Sequence, residues 1–282
     1  MLQHNNLDLS QQTAIITGGA GLLGKVYVSA LLECGAKVIV IDKKINKKKI
    51  LAELKNKKIQ NLTLVECDIT KESEVKKTFF SLKKKLNDLK ILINNASLVS
   101  QVGQDELEST YKPFLKMKKT DWEQYFDVDL SGSMLISQNV IPFLQKNGGG
   151  SIVNISSTYG ILSPDQSLYQ IFNKKSNSKK KKSDISIEKP IGYSVSKSGV
   201  LNLTRFLATR FALDKIRVNT LTLGGVYDNN PDEFVKLYSK KTPMGRMANK
   251  NEYVGPLLFL VSDMSSYMTG SNLIVDGGWS AW

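Results

Sequence analysis

His4 is the only histidine in 282 residues, and Cys34 and Cys67 are the only cysteines. One imidazole cannot build a His-based metal centre or a Ser-His-Asp triad. The two cysteines form no CxxC pair, and so sparse a supply fits a reducing cytoplasm. Arginine is scarce too: Arg205, Arg210, Arg217 and Arg246 are the only ones among 39 basic residues. Met1–Gln12 is polar, without the apolar centre of a signal peptide. No apolar run approaches the ~18–20 residues a membrane span needs, so no membrane partner is expected. Acid–base chemistry in such a chain must run on groups other than histidine.

What the chain does have is lysine and charge. Hydrophobic residues at 41% and charged ones at 23% are ordinary for a folded protein, but the net charge is +13. A charge of that size raises nucleic acid as a partner. Its distribution argues otherwise. Lys43–Lys58 carries a net +7 and Asn173–Pro190 a net +5, leaving the rest of the chain nearly neutral. Neither tract contains the arginine forks or aromatic platforms that nucleic-acid readers use. The tracts read as solvated surface, and no nucleic-acid partner is expected.

Thr13–Thr17 is a short β-rich run that ends at Gly18-Gly19-Ala20-Gly21-Leu22-Leu23-Gly24. An amphipathic segment follows to Cys34, then Gly35, then the apolar run Lys37–Asp42. Strand, glycine turn, helix, strand and acid in about thirty residues is the pattern of a dinucleotide-binding βαβ unit. The glycines let backbone curl under a pyrophosphate, whose charge meets a helix N-terminus. Asp42 can accept from a ribose diol and would repel a 2′-phosphate, which favours NAD. Lys43 and Lys44 could neutralise such a phosphate, so NADP stays open. Further alternation of apolar runs and amphipathic segments predicts strands at 62–68, 91–94, 151–155, 217–221 and 272–276. Helices are expected at 72–86, near 122–126 and 131–144, from about 193, and up to 261. The fold class is therefore α/β, a single-domain Rossmann-type doubly wound parallel sheet with helices on both faces.

Tyr193-Ser-Val-Ser-Lys197 opens the long helix. An i, i+4 spacing puts phenol and ammonium on one face. A phenol near its ordinary ~10 is a poor base at neutral pH, and a neighbouring ammonium is expected to lower it. By itself this spacing arises often by chance.

It stands in company. TGGAGLLG, Asn94-Asn95-Ala96-Ser97, Ser156-Ser157-Thr158-Tyr159-Gly160, Tyr193 with Lys197, and Thr269-Gly270 through Val275-Asp276-Gly277-Gly278 resemble, in order, the motifs of the short-chain dehydrogenase/reductase family. The resemblance runs from about Ser10 to Trp282. It implies an NAD(P)-dependent oxidoreductase with Tyr193 as proton donor or acceptor, Ser157 bonding the substrate oxygen, and Lys197 on the nicotinamide ribose. Ser157 is preferred to Ser156 because it keeps the family's SxxG spacing to Gly160. The implied cofactor contacts are Gly18, Gly19, Gly21, Leu22, Leu23 and Gly24 in the loop, then Asp42, Asp68 and Ile69. Asn94, Asn95 and Ala96 follow, and Gly224, Gly225 and Val226 stand where the family has its PG segment. Dimers or tetramers are common in the family. SSTYGILSPDQSLYQ, Leu223–Val226 and VDGGWSAW are similar to the bacterial flagellin-modification oxidoreductases, associated with amino-sugar precursors.

Three features depart from the family. Its fourth catalytic position is usually Asn and is Asp129 here; ionised Asp only accepts hydrogen bonds, so a proton relay through it would change. Asp129 could still position a water or Lys197. The Gly18, Gly21, Gly24 spacing is nearer to sugar-nucleotide epimerases, which leaves an epimerase or dehydratase with retained NAD, or a non-enzymatic NAD-binding protein, as alternatives. Ser157 and Tyr193 stand 36 residues apart, so an insert at about 165–190 falls at the active-site mouth. Its Lys174–Lys182 could attract an anionic sugar derivative; a solvated loop is the plainer reading. Tyr169, at the usual distance from Ser157, lacks the following lysine and is not the expected acid–base group.

Overall fold

The computed structural model describes residues 7–54, 59–98, 111–174 and 187–282. His4 and Lys175–Lys182 of the insert lie outside them. β1 (Thr13–Thr17), α1 (Leu22–Glu33), β2 (Lys37–Asp42), α2 (Lys47–Glu53) and β3 (Leu62–Glu66) run in turn, followed by α3 (Glu72–Leu82) and β4 (Leu89–Asn94). α4 (Lys119–Phe126) passes through a π-helical segment, Asp127–Gly132, into α5 (Ser133–Lys146). β5 (Gly150–Ser157), α6 (Gln170–Lys174), α7 (Ile191–Phe211), β6 (Ile216–Leu223), α8 (Asp232–Lys241), α9 (Val254–Val261) and β7 (Asn272–Val275) complete the order.

The seven strands make one parallel sheet in the order β3-β2-β1-β4-β5-β6-β7. Their apolar runs are continuous because both faces are covered. Alternate side chains go to opposite sides. Ala14, Ile16, Val38, Val40, Ile91 and Ile93 join Tyr27, Leu31, Leu257 and Leu260 from α1 and α9 in one core. Ile15, Ile39, Ile41, Leu92 and Ile152 join Phe79, Val140 and Leu207 from α3, α5 and α7 in the other. This is the doubly wound α/β fold. The order reverses between β1 and β4, and ligands in such sheets bind where the loops after those strands part.

Several boundaries differ from the sequence reading. The strand read to Asp68 pairs only as far as Glu66, and Asp68 turns back to bond Thr70. α7 starts two residues before Tyr193, because Pro190 (φ −60°) sets the entry. α8 is missing from the sequence expectations, although Pro231 before it, acids in its first turn and lysines in its last turn mark it. Its Phe234 and Tyr238 pack with Tyr111, Leu168, Tyr169 and Trp279 into a third apolar cluster. That cluster roofs the C-terminal ends of the strands, and an Asp165–Lys241 ion pair clasps it from outside. No helix among the described residues is long and apolar enough to cross a membrane.

Candidate active site

A cleft of about 830 Å³ runs along the strand ends, from the glycine loop to the start of α7. At the loop end the backbone leaves no room for side chains. Gly18 has φ +65°, a left-handed conformation that favours glycine, and a Cβ on Gly24 would stand 2.1 Å from the Gly18 carbonyl. β1 thereby turns into α1 within four residues, and its first amides face the cleft. Thr17 and Asn95 hold the turn in place. The Asn95 amide donates to the carbonyls of Thr17 and Gly18, both at 3.0 Å, while Thr17 Oγ1 accepts from the Asn95 and Ala96 N–H groups at 3.1 Å.

Asp42, at the end of β2, accepts from the Ala20 N–H at 3.0 Å, which fixes its carboxylate beside the loop. Lys43 turns aside and pairs with Asp68 at 3.0 Å. Burial works to raise the Asp68 carboxyl, but hydrogen bonds from Thr70 and the Lys43 ammonium outweigh it and hold the group below its usual range. Lys43 is thus partly committed to an acid, and both Lys43 and Lys44 line the cleft.

At the other end, strand pleat separates two serines. Ser156 faces inward and donates to the Lys197 carbonyl at 2.8 Å, bolting β5 to α7. Ser157 faces the cleft, accepts from the Tyr159 N–H at 3.2 Å, and hydrogen-bonds the Tyr193 phenol. Lys197, one helical turn beyond Tyr193, is 3% exposed; its Nζ donates to the Ile155 carbonyl at 3.0 Å and lies 6.0 Å from the Tyr193 ring centre. Beneath it Asp129, 1% exposed on the π segment, accepts from Ser196 Oγ at 2.6 Å. Its other oxygen lies 3.4 Å from Lys197 Nζ without hydrogen-bond geometry, so that contact is chiefly charge against charge.

The expected lowering of the Tyr193 phenol by Lys197 does not hold in this arrangement. Burial drives the phenol well above its ordinary value; the Ser157 hydrogen bond pulls it down, and Asp129 adds to the rise. The physical reason is chiefly burial of the phenol, to which the nearby Asp129 carboxylate adds. The Tyr193 phenol therefore keeps its proton at neutral pH in this arrangement.

A second ammonium, absent from the sequence reading except as tract charge, stands against the phenol ring. Lys189 Nζ lies 4.2 Å from the centre of the Tyr193 ring and 5.1 Å from that of Tyr111, and donates to the Tyr111 hydroxyl at 3.5 Å. Its backbone is fastened by Gln166 through both N–H and C=O, at 2.8 and 3.1 Å. Tyr159 and Tyr169, with hydroxyls 3.5 Å apart, continue the wall.

Gly18, Gly21, Leu22, Leu23, Gly24, Asp42, Asp68, Ile69, Asn95, Ala96, Ser157, Tyr193, Lys197, Gly224, Gly225 and Val226 all border the cleft. Three expected site residues do not. Gly19 packs back against Val40. Asn94 is buried behind the wall, donating to Asn154 at 2.8 Å and to Ser137 at 3.2 Å. Asp129 reaches the cleft only through Lys197 and Ser196. Tyr169 is not beside a lysine in sequence, yet it borders the cleft as roof. The insert lysines named as an anion attractor, Lys174–Lys182, have no described side chains.

Residues 12–170 match the family model described as short chain dehydrogenase, and residues 180–280 match one described as Enoyl-(Acyl carrier protein) reductase. A D-arabinitol 2-dehydrogenase (ribulose-forming) of Scheffersomyces stipitis is 33% identical, over 98% of this chain and 96% of its own. Post-translational flagellin modification protein A of Campylobacter coli is 28% identical, over 96% of this chain and 99% of its own. The crystal structure of a short chain dehydrogenase from Leptospira borgpetersenii with bound NAD+ has a TM-score of 0.81 at 29% identity, covering 99% of this chain and 97% of that one.

Proposed function

The chain belongs to the short-chain dehydrogenase/reductase family, and from that premise we propose that it interconverts a hydroxyl and a carbonyl on a sugar or amino-sugar derivative, with NAD as hydride carrier and Tyr193 as acid–base group. The observation that carries this reading is the Tyr193 phenol, hydrogen-bonded by Ser157 and flanked by Lys197, at the far end of a cleft that begins in a side-chain-free glycine cradle.

Gly18, Gly21 and Gly24 fit a pyrophosphate, since any Cβ at Gly24 would fill the turn. Asp42 is placed for a ribose diol, and the Lys43–Asp68 pair reduces the cation available to a 2′-phosphate; both support NAD over NADP. A bound nicotinamide dinucleotide supplies the hydride acceptor or donor.

The chain's own groups handle the proton and the oxygen. Tyr193 Oη gives a proton to a carbonyl oxygen in reduction, or takes one from a hydroxyl in oxidation. Ser157 Oγ bonds the same oxygen and steadies the charge that develops on it. Lys197, held by the Ile155 carbonyl, keeps a positive charge within reach of the phenol, and Asp129 holds Lys197 and Ser196 in place. The tyrosine wall suits a polyhydroxylated molecule, offering hydroxyls to its oxygens and ring faces to its C–H groups. We further read the chain as one cytoplasmic domain that forms a homodimer or homotetramer.

The test combines melting curves with NAD and NADP and turnover of a panel of alditols, ketoses and nucleotide-linked sugars. NAD should stabilise more than NADP, and one panel member should produce or consume NADH stoichiometrically. Product formation from a retained cofactor with no net NADH would instead identify an epimerase or dehydratase. Stabilisation by NADP alone would overturn the Asp42 assignment.

A further inference from the structure

Lys189 is a charge the proton-transfer scheme leaves unused. It is 9% exposed, far too buried for ordinary hydration, and borders the cleft. Its neighbours are aromatic: the faces of Tyr193 and Tyr111, and the Tyr111 hydroxyl at 3.5 Å. Among the described residues no carboxylate pairs with it. Asp129, the nearest buried acid, is already engaged by Lys197 and Ser196. Burial, with the Lys197 charge second, brings the ammonium down to about 8, while Asp129 opposes the shift. The site thus holds an ammonium that ring faces compensate only in part, and a buried charge without a counterion is costly.

Such a group has two uses. It could only tune the phenol, or it could meet a counterion that arrives with the ligand. Position favours the second. Lys189 borders the cleft 4.2 Å from the Tyr193 ring centre and 5.1 Å from that of Tyr111, whereas Lys197 is held by the Ile155 carbonyl and Asp129. The Gln166 clamp fixes its backbone from both sides, so the ammonium is presented in one place.

We propose that Lys189 is the anion-reading residue of the substrate site, and that the natural substrate bears a carboxylate a few bonds from the carbon that exchanges hydride. This deepens the reading of Tyr193 as the acid–base group and rests on it. One ammonium matches one negative charge. A phosphate dianion would leave a second charge among the tyrosines, where the other ammonium among the described residues of that wall, Lys197, is already engaged by Asp129 and the Ile155 carbonyl. The ammonium donors satisfy carboxylate oxygens, and the reacting hydroxyl then falls against Tyr193 and Ser157. The substrate class is a hydroxy acid or keto acid of the polyol series.

Calorimetric titration of the full chain with NADH present tests this, using three ligands that share a carbon chain: D-arabinonate, D-arabinitol and D-arabinitol 5-phosphate. The acid should bind at least about tenfold more tightly than the alditol, and more tightly than the phosphate. Lys189→Met should abolish the preference and Lys189→Arg restore part of it, with unchanged far-ultraviolet circular dichroism and NADH affinity verifying the fold. Equal affinities in the wild type, a preference that persists in Lys189→Met, or no binding of any of the three would overturn the proposal. Preference for the phosphate would overturn the carboxylate assignment. NADH formation is followed separately. Acid-selective binding without turnover of any substrate would count against the oxidoreductase reading and leave the anion site standing. Turnover of the alditol without acid preference would do the reverse.

Discussion

Replacing Tyr193 with Phe removes one oxygen from a ring whose packing against Tyr125 and Lys189 otherwise persists. Turnover should fall by about 10³-fold, within the range spanned by positioned acid–base groups, while NAD still raises the melting temperature. Retained turnover in Tyr193→Phe would remove the phenol from the mechanism. Asp129 makes a subtler prediction. Its carboxylate offsets Lys197 and pushes the phenol up, so Asp129→Asn leaves two ammonium groups acting on one phenol. The phenolate becomes easier to form, and the rise of kcat/KM with pH in the oxidation direction should move to lower pH. A shift upward, or none, would contradict this balance of charges. The position of Asp129 was legible from its place in the Asp127–Gly132 stretch, but its effect was not. That effect depends on the extra width of a π turn, which brings the carboxylate under Lys197 and Ser196 and which no local residue pattern announces.

Elements divide into those the sequence announces and those it conceals. β1, the glycine turn and β2 are legible because each states its own constraint. Two apolar runs need burial, and a turn with no room for Cβ needs glycine. Gly24→Ala tests that constraint directly. With the Gly18 carbonyl 2.1 Å from the added methyl, the turn must shift, costing about 1–3 kcal/mol in urea unfolding and most of the NAD affinity. The roof is the concealed part. Tyr111, Tyr169, Phe234 and Trp279 come from four distant segments, and their stacking, such as Tyr238 on Trp279 at 4.3 Å, has no period to read. Phe234 meets Tyr169 at 5.8 Å and Tyr238 at 6.0 Å. Phe234→Ala should destabilise by about 3 kcal/mol and raise KM more than it lowers kcat. An equal loss in kcat would mean that the roof also orients the reacting groups. Lys189 was missed for a similar reason: counted among tract lysines it looks solvated, and only the ring faces of Tyr111 and Tyr193, brought over it by the fold, make it a site.

For the molecule as a whole, the net charge of +13 includes both exposed groups and buried ones such as Lys189 and Lys197, and burial decides how a group responds to pH. Lys189 titrates near 8 when folded and near 10.5 when unfolded. Below about 8 both states hold the proton and the buried charge is destabilising; between 8 and 10.5 only the unfolded chain keeps it, so folding stability gains as pH rises. Lys189→Met removes this dependence, and its stability difference from the wild type, measured by urea midpoints, should change by pH 10 in favour of the wild type. At the acid end, Asp165 with Lys241 and Glu252 with Arg246 are both held at about 2. Their contribution is present above about 4 and is lost as pH falls toward 2; both pairs are largely exposed, so it is modest. The bolt from Ser156 to the Lys197 carbonyl has a consequence at this scale. It makes the end of β5 and the start of α7 a single stiff floor that sets Ser157, Tyr193 and Lys197 relative to one another, while the roof meets the strand ends through ring packing and scattered hydrogen bonds such as Gly225 N–H to the Tyr238 hydroxyl and Tyr169 to Tyr159. Selection can therefore exchange roof residues and alter which molecule is admitted without retuning the reaction. In such a lineage, substrate range drifts quickly over a chemistry that stays put.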